Sequence, residues 1–166
     1  MAGTGLIAVT YGMIRFGYGL YLPALTAEFA LTSGMAGLIA AGSFVAYCLA
    51  ALVAQRVLVG GSARPVLWGA AAVAAAGSGL VAVSWSADVL AVGVLVSGSA
   101  AGAASPVLVT AVASSVPQRF EARVQGIVNA GTGLGVVAGG LFVLGAPQAW
   151  RAVWVIAAVA AVVTAA

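Results

Sequence analysis

With 166 residues, 64% of them apolar and only nine charged, this chain cannot cover a folded surface with the roughly one-quarter charged groups of a water-soluble domain, and its mean hydropathy of +1.20 makes lipid its solvent. Six Arg against three acidic residues leave a net charge of +3, but no clustered basic face exists to bind nucleic acid, so a nucleic-acid partner is excluded. The absence of His and the single Cys, Cys48, exclude an intrachain disulfide and a Cys–His nucleophile pair, and no metal, cofactor or enzymatic chemistry is expected.

A helix crosses the hydrocarbon with about 20 residues at 1.5 Å each, and charged residues divide the chain at about that interval. The first span is expected over 5–26, ended by Glu28. Residues 1–4 carry no positive charge and the apolar run outlasts a signal-peptide core, so it reads as a span and not as a cleaved leader. The second span is 33–54, ended by Gln55 and Arg56; Tyr47 within it reads as a packing aromatic. The third is 65–84, opening on Pro65, a good first helical residue. The fourth is 88–114, with Asp88 as a plausible helix cap and with Gly98 and Gly102 spaced for close helix packing. The fifth is 123–144, followed by Pro147. The sixth, 150–166, is at the short end of what spans a bilayer and reads as incomplete. The expectation is therefore a piece of a larger protein.

These runs are too long for buried strands and show no barrel-like alternation. The fold class is all-α, a polytopic membrane helical bundle forming a single transmembrane domain over 1–166. Arg56, Arg64, Arg119 and Arg123 fall on one side of the bilayer, against Arg151 alone on the other. The positive-inside rule puts the N-terminus and both Arg-bearing connections in the cytoplasm.

Arg15 lies near the middle of the first span, and only 12 residues separate it from Glu28, too few for the helix to slide and avoid burying it. A guanidinium at that depth costs about 2.5–3.5 kcal/mol on insertion scales, so Arg15 faces a polar cavity or a partner. Either it contacts an anionic substrate group or participates in coupling, or it is a structural hub bonded to helix-end carbonyls and polar side chains. Tyr11 and Tyr18 lie four residues before and three after it, on its face, as a cation–π or hydrogen-bonding wall or as ordinary aromatic packing. Asn129 in the fifth span needs a partner at its depth, either a ligand or another helix.

Three stretches together resemble the N-terminal half of a major facilitator superfamily transporter. The run from Ala51 to Arg64 stands where that family carries a Gly-x-Leu-Ala-Asp-Arg-x-Gly-Arg-Arg connection; Arg56 and Arg64 match, while Ala51 replaces the Gly and Gln55 the Asp of a charge relay. Gly131, Gly135, Gly139 and Gly140 match the four glycines of the family's antiporter signature, Gly-x-x-x-Gly-Pro-x-x-Gly-Gly, with Val136 in place of Pro. Arg15-Phe16-Gly17-Tyr18, followed by Leu22-Pro23, resembles the YbfB/YjiJ-like branch. The resemblance implies half of a twelve-helix fold, with a C-terminal six-helix half outside this chain. It also implies a multi-pass protein of the inner cell membrane that moves a small-molecule substrate by alternating access, as a proton-coupled exporter. Facilitator halves pair two inverted three-helix units, so Pro23 and Pro106 become expected counterparts in the first and fourth spans. The rival class is a non-transporting assembly or interaction subunit of packed small-residue helices.

Overall fold

The computed structural model describes residues 2–165 and is helical almost throughout. The first span is a string of helical pieces: α1 (Ala2–Ile7), a π-helical segment (Ala8–Arg15), α2 (Phe16–Leu20) and α3 (Leu22–Phe29). Long helices follow as α4 (Ser33–Gly60), α5 (Ala63–Ala82), α6 (Ala87–Ser115) and α7 (Gln118–Gly145), then the shorter α8 (Trp150–Ala165). The helices α4 to α7 are each long and apolar enough to cross a membrane. The expected end of the last span, Ala166, lies outside the described residues.

The structure corrects several expected limits. The first span is not one helix. Pro23 stands at the start of α3 and has no N–H to continue the ladder. The chain turns at Tyr21, whose N–H bonds Gly17 O at 3.0 Å while its own carbonyl accepts from Leu25 N at 3.0 Å. Pro106, its expected counterpart, sits inside the unbroken α6, so the two prolines play different local roles. The second helix runs past position 54 to Gly60, which puts Gln55 and Arg56 on exposed helical turns and not in a loop. The fifth starts at Gln118, not at 123, so Arg119 and Arg123 occupy its first turns. Thr32 and Ser86 cap α4 and α6, accepting from Met35 N and Val89 N. Asp88, the expected cap, lies in the first turn of α6 instead.

Small residues set how the helices pack. A Cβ on Gly77 would strike the Ser97 backbone, closing α5 on α6, and one on Gly102 would strike the Tyr47 backbone, closing α4 on α6. Buried Leu90, Val94, Ala100 and Val81 join the first segment and α8 in one apolar cluster that includes Ile14, Tyr21, Leu25 and Trp154. Outside this core, Leu38, Val45, Leu49 and Val53 of α4, with Leu134 and Leu141 of α7, are exposed. Such faces suit hydrocarbon, where an exposed Leu carries no penalty.

At one end of the bundle Glu28 gathers three elements. Its Oε1 pairs with Arg151 Nη2 at 2.6 Å and its Oε2 accepts from Trp150 Nε1 at 2.8 Å. Arg151 Nη1 also donates to Ala82 O at 2.8 Å, tying α3 and α8 to the end of α5. Glu28, Asp88 and Arg151 belong to this end, while Arg56, Arg64, Arg119 and Arg123 belong to the other.

Candidate functional site

The π-helical segment is the irregular part of the bundle, and it carries the intramembrane charge. A π turn holds an extra residue, and such turns recur at functional sites. The wider turn brings Tyr11 and Arg15 to nearly the same side, with the guanidinium carbon 5.6 Å from the Tyr11 ring centroid. Across from them, α4 presents Phe44 and Tyr47, whose ring centroids lie 4.1 and 4.4 Å from the same carbon. Tyr11 and Tyr47 meet edge to face at 5.9 Å. Arg15 is thus clasped by three rings, an attraction that grows when the cation is desolvated.

The cage leaves the hydrogen-bonding capacity of the guanidinium unused. Nη1 is fully buried and has no partner among the described residues. Tyr21 Oη, Ser78 Oγ and Trp154 Nε1 are also buried without partners, but these are neutral groups in packed positions. Arg15 is charged and lines a cavity of about 160 Å³ with Tyr18, Gly19, Ser43, Phe44 and Val94. A second cavity of about 420 Å³ shares Tyr18, Gly19 and Ala40 with the first and continues past Leu22 and Leu31 to Thr32 and Ser33 at the start of α4.

Tyr18 belongs to both cavities, with its hydroxyl donating to Ala36 O at 3.2 Å. Sequence reasoning put Tyr11 and Tyr18 beside Arg15, and the structure brings all three together. It does not bring Asn129 there. Asn129 is on an exposed face of α7, accepting from Gln125 Nε2 at 3.2 Å one turn away. Tyr47, expected to be simple packing, stands against the guanidinium instead, and Phe44 and Ser43 were missed. Their signal was the spacing 40, 43, 44 and 47, one face of a helix.

The glycine run of α7 packs on the same irregular segment. A Cβ on Gly131 would meet Thr4 O, and one on Gly135 would meet Ala8 O and the Cα of Gly12. Gly12 in turn would carry its Cβ 2.5 Å from the Gly135 Cα. Gly139 faces Leu20, at 3.0 Å, and Gly140 faces open space. Three of the four signature glycines therefore seat α7 against α1, the π turn and α2. Gly98 lies against Ser43 and Gly102 against Tyr47, so the expected packing glycines of α6 hold the α4 wall of the cage in place.

The profile of the Major Facilitator Superfamily matches residues 4–166, almost the entire chain. The chain belongs to this family. Members of the major facilitator superfamily are transporters and not enzymes, and this chain is a multi-pass helical membrane protein of that class. No curated protein matches the sequence. Within this facilitator the site residues come from α4 and from the first segment, with α6 contributing Val94 behind them.

Proposed function

We propose that this facilitator chain carries a small solute across the inner cell membrane by alternating access, exporting it in exchange for protons. The observation that carries the reading is Arg15, a half-buried residue whose guanidinium has one buried, unpartnered nitrogen beside a cavity in an otherwise apolar bundle. A scaffold of packed helices has little reason to bear that cost. The close seat of α7 on the π turn supports a moving contact, because backbone against backbone allows two elements to rock without unpacking side chains. The four signature glycines support proton exchange, and the opening motif around Arg15 supports placement in the YbfB/YjiJ-like branch. The Arg distribution supports a cytoplasmic N-terminus.

In this reading the chain works against a second six-helix half around a site near mid-membrane. The acidic residues, Glu28, Asp88 and Glu121, all lie near helix ends. The proton carrier would therefore come from the second half. Arg15, Tyr11 and Tyr18 form the substrate side, while Gln55, Arg56, Arg64 and the α7 glycines govern opening and closing; Asn129, facing away from the cage, is better suited to a helix partner than to the solute.

The test is reconstitution of the full-length transporter, this chain together with the second half, in vesicles carrying an internal pH dye, challenged with a panel of small solutes with and without an imposed proton gradient. The expected result is saturable, solute-dependent proton flux absent from protein-free vesicles. No flux with any solute, from protein shown to be inserted and folded, favours an assembly subunit.

A further inference from the structure

We propose that the Arg15 cage binds a small monocarboxylate with an apolar body, its carboxylate on the guanidinium and its body lying along Tyr18 and Ala40 in the adjoining cavity. The inference rests on the transporter reading and names its substrate class.

The Arg15 guanidinium is a cation, and its buried, unpartnered nitrogen needs an anion or another acceptor. The described residues supply neither. Its acidic residues are three in all. Glu28 is thirteen positions along, on the order of 20 Å away at helical rise, and is held by Arg151 and Trp150. Asp88 is in the first turn of α6 and Glu121 in the first turn of α7. The rings of Tyr11, Phe44 and Tyr47 attract the cation through their faces but offer Nη1 no acceptor. The countercharge therefore arrives with a ligand, and a planar carboxylate matches the guanidinium fork.

The lining selects further. Neither cavity has another charged residue in its wall. A dicarboxylate would leave its second charge unpaired in apolar surroundings, and an amino acid would leave its ammonium so. Both are disfavoured by the desolvation of an unmatched ion. Apolar contacts are abundant: Phe44 and Val94 by the guanidinium, then Ala40, Leu22 and Leu31 outward. The inner cavity of about 160 Å³ has room for roughly five waters at about 30 Å³ each, enough for a carboxylate and its first carbons. The outer one takes the remainder of the body. The aromatic rings crowd the guanidinium, which lowers the side-chain entropy lost on binding.

The experiment is a calorimetric titration of the purified full chain in nanodiscs with butyrate and benzoate, set against butyramide, benzamide, succinate and alanine. The expected result is saturable binding of the two monocarboxylates, at least about tenfold tighter than the amides, succinate or alanine. Arg15→Lys, which keeps the charge but loses the fork, is expected to weaken butyrate about tenfold, and Arg15→Gln to abolish its binding. If neither variant yields folded protein, the carboxylate-to-amide ratio of the unaltered chain decides. Equal binding of acid and amide, preference for succinate or alanine, or undiminished butyrate binding by Arg15→Gln overturns the proposal. Counterflow of labelled butyrate in vesicles separates this inference from the transporter reading. Transport of a neutral solute with no carboxylate binding sinks the substrate class alone. Arg15-dependent butyrate binding without counterflow keeps the site and sinks the transporter reading.

Discussion

The contact between α4 and α6 and the contact between α7 and the first segment both close on glycine, yet they differ in what surrounds them. In the first, Gly98 and Gly102 meet Ser43 and Tyr47 on two continuous α-helices, with Pro106 of α6 leaving the Gly102 carbonyl without its helical donor. In the second, Gly131 and Gly135 meet a π turn that is irregular, carries Arg15 and continues into a Pro-interrupted helix. Continuous helices joined by small residues make a rigid wall. An irregular segment held by the same chemistry can shift, because its backbone has more than one way to satisfy itself. On the proposed function, the first contact is scaffold and the second is the working part.

The sharpest way to break that comparison is to put a bulky side chain into each contact. Gly102→Leu drives its side chain into the Tyr47 backbone of a continuous helix, and is expected to remove folded protein, a loss of more than about 3 kcal/mol. Gly135→Leu meets Ala8 O and Gly12 on the irregular segment. It is expected to leave most of the protein inserted and monodisperse while transport is lost. Size-exclusion yield in detergent and vesicle flux measure the two effects, and equal loss of both in the two variants would make both contacts scaffold.

The clasp at Glu28 is a milder test of how firmly the first segment is held. Both partners of the ion pair are more than a third exposed, so screening limits its worth, and Glu28→Gln is expected to lower stability by about 0.5–1 kcal/mol, less at high salt. Thermal unfolding in detergent at two ionic strengths reads this out. Ala30 ends α3 with a left-handed φ of 50°, a conformation that disfavours any residue with a Cβ. Ala30→Gly is expected to raise stability by about 0.5 kcal/mol in the same measurement. Gly140, with open space around it, marks the small end of the scale: Gly140→Ala should change neither stability nor flux, whereas Gly135→Ala should reduce flux.

Much of this was legible in the residues. Apolar runs cut by charges announced the helices, and the position of Arg15 between Gly5 and Glu28 announced its depth along the first segment. The four-residue spacing of the glycines announced close packing. What the sequence hid were pairings between distant elements. Nothing in Phe44 or Tyr47 says that α4 lies across from Arg15, and nothing local joins Glu28 to Trp150 and Arg151, which are more than a hundred residues away. The π turn was hidden as well, since Ala8–Arg15 reads as ordinary helix until Gly12 is seen against Gly135. Asn129 misled for a related reason: its depth along α7 was evident, but the glycines beside it claim the opposite face.

The most direct test is solute-dependent flux in vesicles for the full-length transporter, unaltered and with Arg15→Ala, at matched protein content and insertion. The account predicts a fall of at least about a hundredfold, the equivalent of losing a charge-assisted pair of about 3 kcal/mol, with insertion unchanged. Flux equal to that of the unaltered chain would contradict it and leave Arg15 a structural residue.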